Sequence, residues 1–279
     1  MYCVKKVLNN NVIIAEDNRD EEVILIGKGI GFNRKKDEYI PGNMVEKLFV
    51  LRSQKERQSY MKLLPQIDEN LLKTIIDSIA IIRNKSNSIL NEKVHVALTD
   101  HILFAVNRLM KGMEIKNPFL VETKALYPAE YEIAEEVVDF INHSLVIHLP
   151  KGEIGFIALH IHSAISDRTI SDINKYSNLI TQLIKIIENQ LQIEITKDSV
   201  NYIRLIRHLR YTIERVLNDE YVEEPIKIRN LLKEEYPVCY NLSWKLIKIM
   251  QQTMKKDVYD AEAVYLTMHL QRLTNKYES

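Results

Sequence analysis

Four histidines, His101, His160, His208 and His269, stand in two matched contexts and carry the clearest chemical signal in this chain. The stretch VALTDHILFAVNR around His101 is answered by YIRLIRHLRYTIER around His208. Each of these histidines is followed seven residues later by an arginine, Arg108 or Arg215. Farther along, Glu153 precedes His160 by seven residues, and Glu262 precedes His269 by seven. Tyr127-Pro-Ala-Glu-Tyr131 and Tyr236-Pro-Val-Cys-Tyr240 begin 33 residues before the closing histidine of their copies. His101 to His208 is 107 residues and His160 to His269 is 109, a period that means tandem domains rather than short stacked repeats.

A single histidine on a helix is most often a packed residue with a satisfied ring. His95, His143, His148 and His162 have no matched histidine and are read that way. For the matched four, reversible phosphorylation is the chemistry that fits. A neutral imidazole nitrogen is a competent nucleophile toward a phosphoryl donor, and the product gains a charge of about −1.5 to −2. Arg108 and Arg215 share a helical face with their histidines, about 10 Å along the axis. Phosphate support and an ordinary surface arginine are both open readings there. A metal site is not expected: Asp100 precedes His101, but Arg207 precedes His208 and would repel a cation. His160 and His162 diverge if their segment is helical. No serine or cysteine is matched between the copies, so neither a nucleophilic triad nor a cofactor is expected. The Tyr-Pro units read as helix starts. Glu153 and Glu262 read as structural, although a carboxylate there can orient an imidazole.

The elements that position these groups follow from periodicity. Val94, Leu98, His101, Ala105 and Arg108 share one helical face, as do Asn201, Leu205, His208, Thr212 and Arg215. The polar run 170–175 is the expected join between the copies. Residues 1–56 differ, with short valine- and isoleucine-rich runs at 4–8, 12–15 and 23–26 and a fourth at 47–51, split by Asn9-Asn10-Asn11 and by GKGIGF. That predicts an antiparallel sheet of about four strands. A sheet so small is marginal alone, and pairing with a second copy would cover its apolar side.

GKGIGF is neither a dinucleotide fingerprint, since Phe32 takes the third glycine position, nor a phosphate loop, since GK[ST] is missing. It reads equally as a plain turn or as an RNA contact, in which Lys28, Phe32 and Arg34-Lys35-Lys36 supply cations and a stacking ring. Residues 1–56 hold ten Lys/Arg against nine Asp/Glu, and the whole chain of 279 residues has zero net charge. Nucleic acid must then be held by local shape rather than bulk attraction. Seven glycines, seven prolines and the two distant cysteines Cys3 and Cys239 fit a helical, reduced, cytoplasmic protein. No signal peptide or membrane span is expected.

With these residues in view, the chain resembles the BglG/LicT-type transcriptional antiterminators. The family's order of VKKVLNNNVIIA, VILIGKGIGF, VALTDH, EIGFIALHIH, YIRLIRHLRYT and AVYLTMH runs through essentially the whole sequence. KNPFLVET and WKLIKIMQQTMKK are most similar to the glucose-specific branch of Gram-positive bacteria. The resemblance implies an α+β multidomain protein: a small, dimeric, antiparallel RNA-binding sheet domain (1–56) and two all-α regulatory bundles (57–171 and 172–279), the regulation domains of the phosphotransferase sugar-import system (PTS). It implies that Lys6, Asn9, Asn11, Gly27, Lys28 and Phe32 line the RNA surface and that His101, His160, His208 and His269 take phosphate. Relatives often carry arginine where Lys28 stands, so charge is kept but a bidentate contact is lost. The implied partners are an RNA hairpin in a leader message, a sugar-specific permease (Enzyme II) as phosphodonor and the phosphocarrier protein HPr. The Arg207 before His208 implies that the two domains meet different donors. A DNA-binding activator with the same regulatory pair would instead begin with a helix-turn-helix, and a histidine-dependent phosphohydrolase would bind metal.

Overall fold

The computed structural model describes residues 1–19, 21–49, 54–91, 93–166, 168–197 and 199–274. It opens with a five-stranded sheet of β1 (Tyr2–Asn9), β2 (Val12–Glu16), β3 (Glu22–Ile26), β4 (Tyr39–Ile40) and β5 (Lys47–Phe49). The order is β4-β1-β2-β3-β5, and every neighbouring pair is antiparallel. The asparagine run turns the β1–β2 hairpin, with Asn9 opposite Val12. Residues 50–51 of the expected fourth strand lie outside the described residues. The strand missing from the sequence reading is β4. It is two residues long and is held by backbone bonds from Val4 N to Glu38 O at 2.8 Å and from Asp37 N to Val4 O at 2.7 Å.

The sheet does not need a second copy to cover its apolar side. Ile13, Ala15, Val23 and Leu25 pack with Val4, Ile30 and Ile40 on one face. Val12, Ile14, Ile24 and Ile26 alternate with them, point the other way, and are buried as well. Unbroken apolar runs, as opposed to alternating ones, are the mark of strands covered on both sides.

Eleven α-helices follow among the described residues: α1 (Gln54–Leu63), α2 (Glu69–Lys85), α3 (Lys93–Met110), α4 (Leu120–Leu126), α5 (Pro128–Leu145), α6 (Gly152–Ser166), α7 (Ile170–Leu191), α8 (Val200–Leu217), α9 (Ile226–Glu235), α10 (Pro237–Met254) and α11 (Asp260–Thr274). Pro128 and Pro237 each open a helix, where a missing N–H costs nothing. Asp68, Thr169 and Ser199 cap α2, α7 and α8 with their side chains. The polar run 170–175, expected as the join between the copies, is the start of α7. None of the described helices is long and apolar enough to cross a membrane.

Contacts divide the chain into two compact units, Met1–Asn117 with Ala129–Asp167 and Pro118–Pro128 with Arg168–Ser279. In the first, α3 packs on α1, α2 and α6. In the second, α11 packs on α8 and α10. The second unit also contains α4, although α4 lies in the stretch belonging to the first sequence copy. Tyr202 Oη and Lys197 Nζ each donate to Glu122 Oε1 at 2.8 Å. Arg207 Nε donates to Ala125 O at 3.2 Å, and Arg210 donates to Leu126 O. The matching helix α9 packs instead on α10 and α11 of its own copy. The two copies share a sequence pattern but not every packing partner.

Two of the clustered glycines are required by close backbone approach. A Cβ on Gly31 would collide with the Asn9 carbonyl oxygen, and one on Gly27 with that of Met44. Gly31→Ala is expected to lower stability by about 1–3 kcal/mol in thermal unfolding. Lys28→Ala on the exposed part of the same loop should change it by less than about 0.5 kcal/mol.

Candidate functional site

The hairpin tip and the glycine loop are tied into one surface. Gly27 N donates to Asn11 O at 3.1 Å and Gly31 N to Asn10 O at 2.9 Å. Asn9 Oδ1 accepts from Asn11 N at 2.9 Å, and Asn11 Oδ1 accepts from Gly29 N at 2.6 Å. Asn11 thus spends its side-chain carbonyl oxygen on the loop and Asn9 its own on the hairpin turn, while each side-chain amide still carries N–H donors. Ile30 is fully buried and anchors the loop, whereas Lys28 is exposed and Phe32 is 61% exposed. The open ring offers a flat apolar face on which a base could stack. Asn11, Gly27 and Lys28 also line one pocket together with Ile26, Glu46 and the α2 residues Glu69, Leu72, Lys73 and Ile76. Lys6 stands apart, exposed on β1 opposite Ile14. In the basic run, Arg34 is turned inward to Met44 Sδ at 3.5 Å and Glu38 at 3.6 Å, so Lys35 and Lys36 are its exposed cations.

The matched histidines meet in pairs. A spacing of seven residues is two helical turns, so His101 and Arg108 share a face of α3, and Glu153 and His160 share a face of α6. Where α3 packs on α6, the His101 and His160 ring centroids are 4.8 Å apart. Between them and Arg108 lies Glu153, 1% exposed. Its Oε1 accepts from Arg108 Nη2 at 2.5 Å, and its Oε2 is 2.9 Å from His101 Nε2. The second unit repeats the design on α8 and α11. His208 and His269 stack at 4.6 Å, and Glu262, also 1% exposed, accepts from Arg215 Nε at 2.7 Å and Nη2 at 2.8 Å.

Glu153 and Glu262, read from sequence as structural, are therefore the hubs of both sites. Their matched spacing and apolar flanks were the available signal. Arg108 and Arg215 are ion-paired to these glutamates, and Arg108 is itself buried, so it is not a surface arginine.

Burial sets the charge of the rings. His160 is pushed down to about 3 by desolvation and then by the charge of His101. His208 is pushed down to about 4 by desolvation, then by His269; Glu262 opposes this and Arg215 adds to it. Desolvation, then Arg272 and Arg204, lowers His269. These rings stay neutral at pH 7 and keep a nitrogen lone pair for nucleophilic attack. Three of the unmatched rings have structural partners: His162 Nδ1 lies 2.9 Å from Glu130, His95 Nε2 lies 3.3 Å from Arg83, and His143 Nδ1 lies 2.7 Å from Asp139 O, while His148 is exposed. Among the described residues, no three His, Cys, Asp or Glu side chains converge as a metal site. The N-terminus is a sheet rather than the helix-turn-helix with which the DNA-binding alternative would begin.

A titration consequence follows. Unfolded histidines bind protons below about pH 6.5, whereas folded His208 stays neutral down to about 4. The unfolded state then holds more protons, so stability falls as pH drops through that window. Replacing His208 by Asn should flatten the slope by up to about one proton, read from denaturation at several pH values, and an unchanged slope would contradict the assignment.

Comparison with known proteins converges on one family. The CAT RNA binding domain model matches residues 2–58, and the PRD domain model matches 76–164 and again 181–273. The chain is 55% identical over 275 residues to the PtsGHI operon antiterminator of Bacillus subtilis (strain 168), covering 99% of this chain and 98% of that one. It is 43% identical over 279 residues to the GlcA/glcB genes antiterminator of Staphylococcus carnosus (strain TM300), covering 99% and 97%. The crystal structure of GlcT CAT-PRDI is similar at 54% identity and a TM-score of 0.53, over 59% of this chain and 98% of that chain.

Proposed function

The chain belongs to the antiterminators that join a CAT RNA-binding domain to PRD regulatory domains, and from that membership we propose that it lets transcription pass a leader terminator when its sugar is present. In this reading it is a regulator and not an enzyme. Residues 1–56 hold a short RNA hairpin that overlaps the terminator. Residues 57–171 and 172–279 are the two phosphorylation-controlled domains. The message is that of a glucose permease, the branch to which the resemblance points.

The observation that carries the reading is the pair of histidine couples, each locked to a buried glutamate and arginine, on a chain whose N-terminal loop displays Lys28 and Phe32. Phe32 stacks on an unpaired base, Lys28 and Lys6 meet backbone phosphates, and the amides of Asn9 and Asn11 supply donors. Two copies of the chain act together. The exposed Tyr39 and Leu48 on the edge strands β4 and β5 support pairing at a sheet edge.

Without sugar, the permease passes phosphate to His101 and His160, and HPr serves His208 and His269. The added charge cannot remain beside a buried carboxylate without rearrangement, and Arg108 and Arg215 are the cations that stand ready to meet it. His101→Ala should give antitermination with or without sugar, read from a reporter placed behind the leader. Phe32→Ala should weaken hairpin binding by about fivefold or more, since one lost stacking contact is worth about 1–3 kcal/mol. A His101→Ala reporter that still follows sugar would remove the switch.

A further inference from the structure

Contacts between α8 and α11 order the second histidine pair and its surroundings into three levels. Thr212 and Arg215 meet Glu262 at the first. The His208 and His269 rings stack at 4.6 Å at the second. At the third, Asn201 Nδ2 donates to Arg272 O at 3.1 Å. The two helices are therefore antiparallel, with the start of α8 beside the end of α11. Arg204 comes one turn before His208 and Arg272 one turn after His269, so each shares a face with its histidine. Both arginines stand on the side of the rings away from Glu262.

Both are exposed, and among the described residues neither side chain has a carboxylate partner. Their charge reaches the stack: after desolvation, Arg272 and Arg204 are what lower His269. Arg207, one residue before His208, is a third exposed cation, with its Nε given to Ala125 O at 3.2 Å. Arg215 is already tied to Glu262 through Nε and Nη2. An anion approaching from solvent thus meets Arg204 and Arg272 first. Guanidinium groups brought together without a carboxylate repel one another, and an oxyanion between them relieves that while accepting their N–H bonds. The first unit has no such rim. The positions matching Arg204, Arg207 and Arg272 are Ala97, Asp100 and Ser163, which supply no cation and one carboxylate.

We propose that Arg204 and Arg272 form a phosphoryl-binding rim that receives the donor's phosphate at His269, a provision that the first unit does not make for His160. The proposal rests on the phosphorylation reading above. A lone pair of the neutral His269 ring forms the new N–P bond as the donor's P–N bond breaks. The electron pair leaves on the donor nitrogen, which takes up a proton from water. The phosphoryl oxygens stay anionic throughout, and the two guanidinium groups hold them in line with the ring and offset their charge. In the first unit the same oxygens arrive beside Asp100 and find no exposed cation at the matched positions.

The test uses the full chain and phosphoramidate, a small phosphoryl donor that releases ammonia and is too small to report protein docking. Labelling is followed ring by ring by mass spectrometry of peptides kept at alkaline pH. Replacing both Arg204 and Arg272 by alanine should slow labelling of His269 by at least about tenfold, the worth of a hydrogen bond to a charged group. His101 and His160 should label at the parent rate. Lysine at both positions keeps the charge and should recover most of the lost rate. Unchanged labelling of His269, equal slowing of all four matched rings, or lysine variants as slow as the alanine ones would overturn the rim and leave the switch standing. Labelling of none of the four rings in the parent chain would overturn the switch itself, and the rim with it.

Discussion

A carboxylate shut between two helices must be met by cations or N–H groups, because stripping it of water costs several kcal/mol that only close partners offset. Glu153 and Glu262 impose that demand once in each half of the chain. The arginine seven residues beyond each first histidine answers it, and the imidazoles pack over the result. Helix crossing, ring pairing and ring charge all follow. α3 must face α6, and α8 must face α11, at the height where glutamate and arginine meet. The histidines lie on the same stripe, so they are drawn in beside them and desolvated. A site assembled this way keeps His160, His208 and His269 neutral at pH 7.

Much of this was legible in the chain because it is written in local periods. Seven-residue spacing is two helical turns, so His101 with Arg108 and Glu153 with His160 could be placed on faces before any helix was seen. The asparagine run and the Tyr-Pro pairs marked a turn and two helix starts for reasons confined to a few residues. What stayed hidden depended on distant partners. β4 exists because Asp37 and Glu38 bond back to Val4, and two residues leave no periodic trace. The sheet's second apolar face is visible only as burial on both sides of β2 and β3. α4 packs in the second unit because Arg207 and Arg210, more than eighty residues away, reach its last carbonyls. The hub role of the glutamates needed three residues from two helices in register.

Within the first unit, α2 connects the two kinds of chemistry. Its first turns line a pocket with Gly27 and Lys28, and its body packs on α3, which carries His101. One helix thus separates the helix that carries His101 from the loop. The loop itself is tightly held: Gly27 and Gly31 leave no room for a side chain, and the Asn11 side chain holds Gly29 from across the hairpin. Interdigitated contacts of that kind move together or not at all, which is what a two-state switch needs.

The central claim is that charge on a buried imidazole sets the grip of the N-terminal loop on structured RNA. The most direct measurement is the affinity of the purified chain for its leader hairpin by gel shift, before and after phosphate is delivered by a permease fragment, with phosphate on His101 confirmed by mass spectrometry. The account predicts that binding weakens by at least about tenfold, or about 1.4 kcal/mol, once His101 is charged. Equal affinity in the two states, with His101 fully phosphorylated, would contradict it.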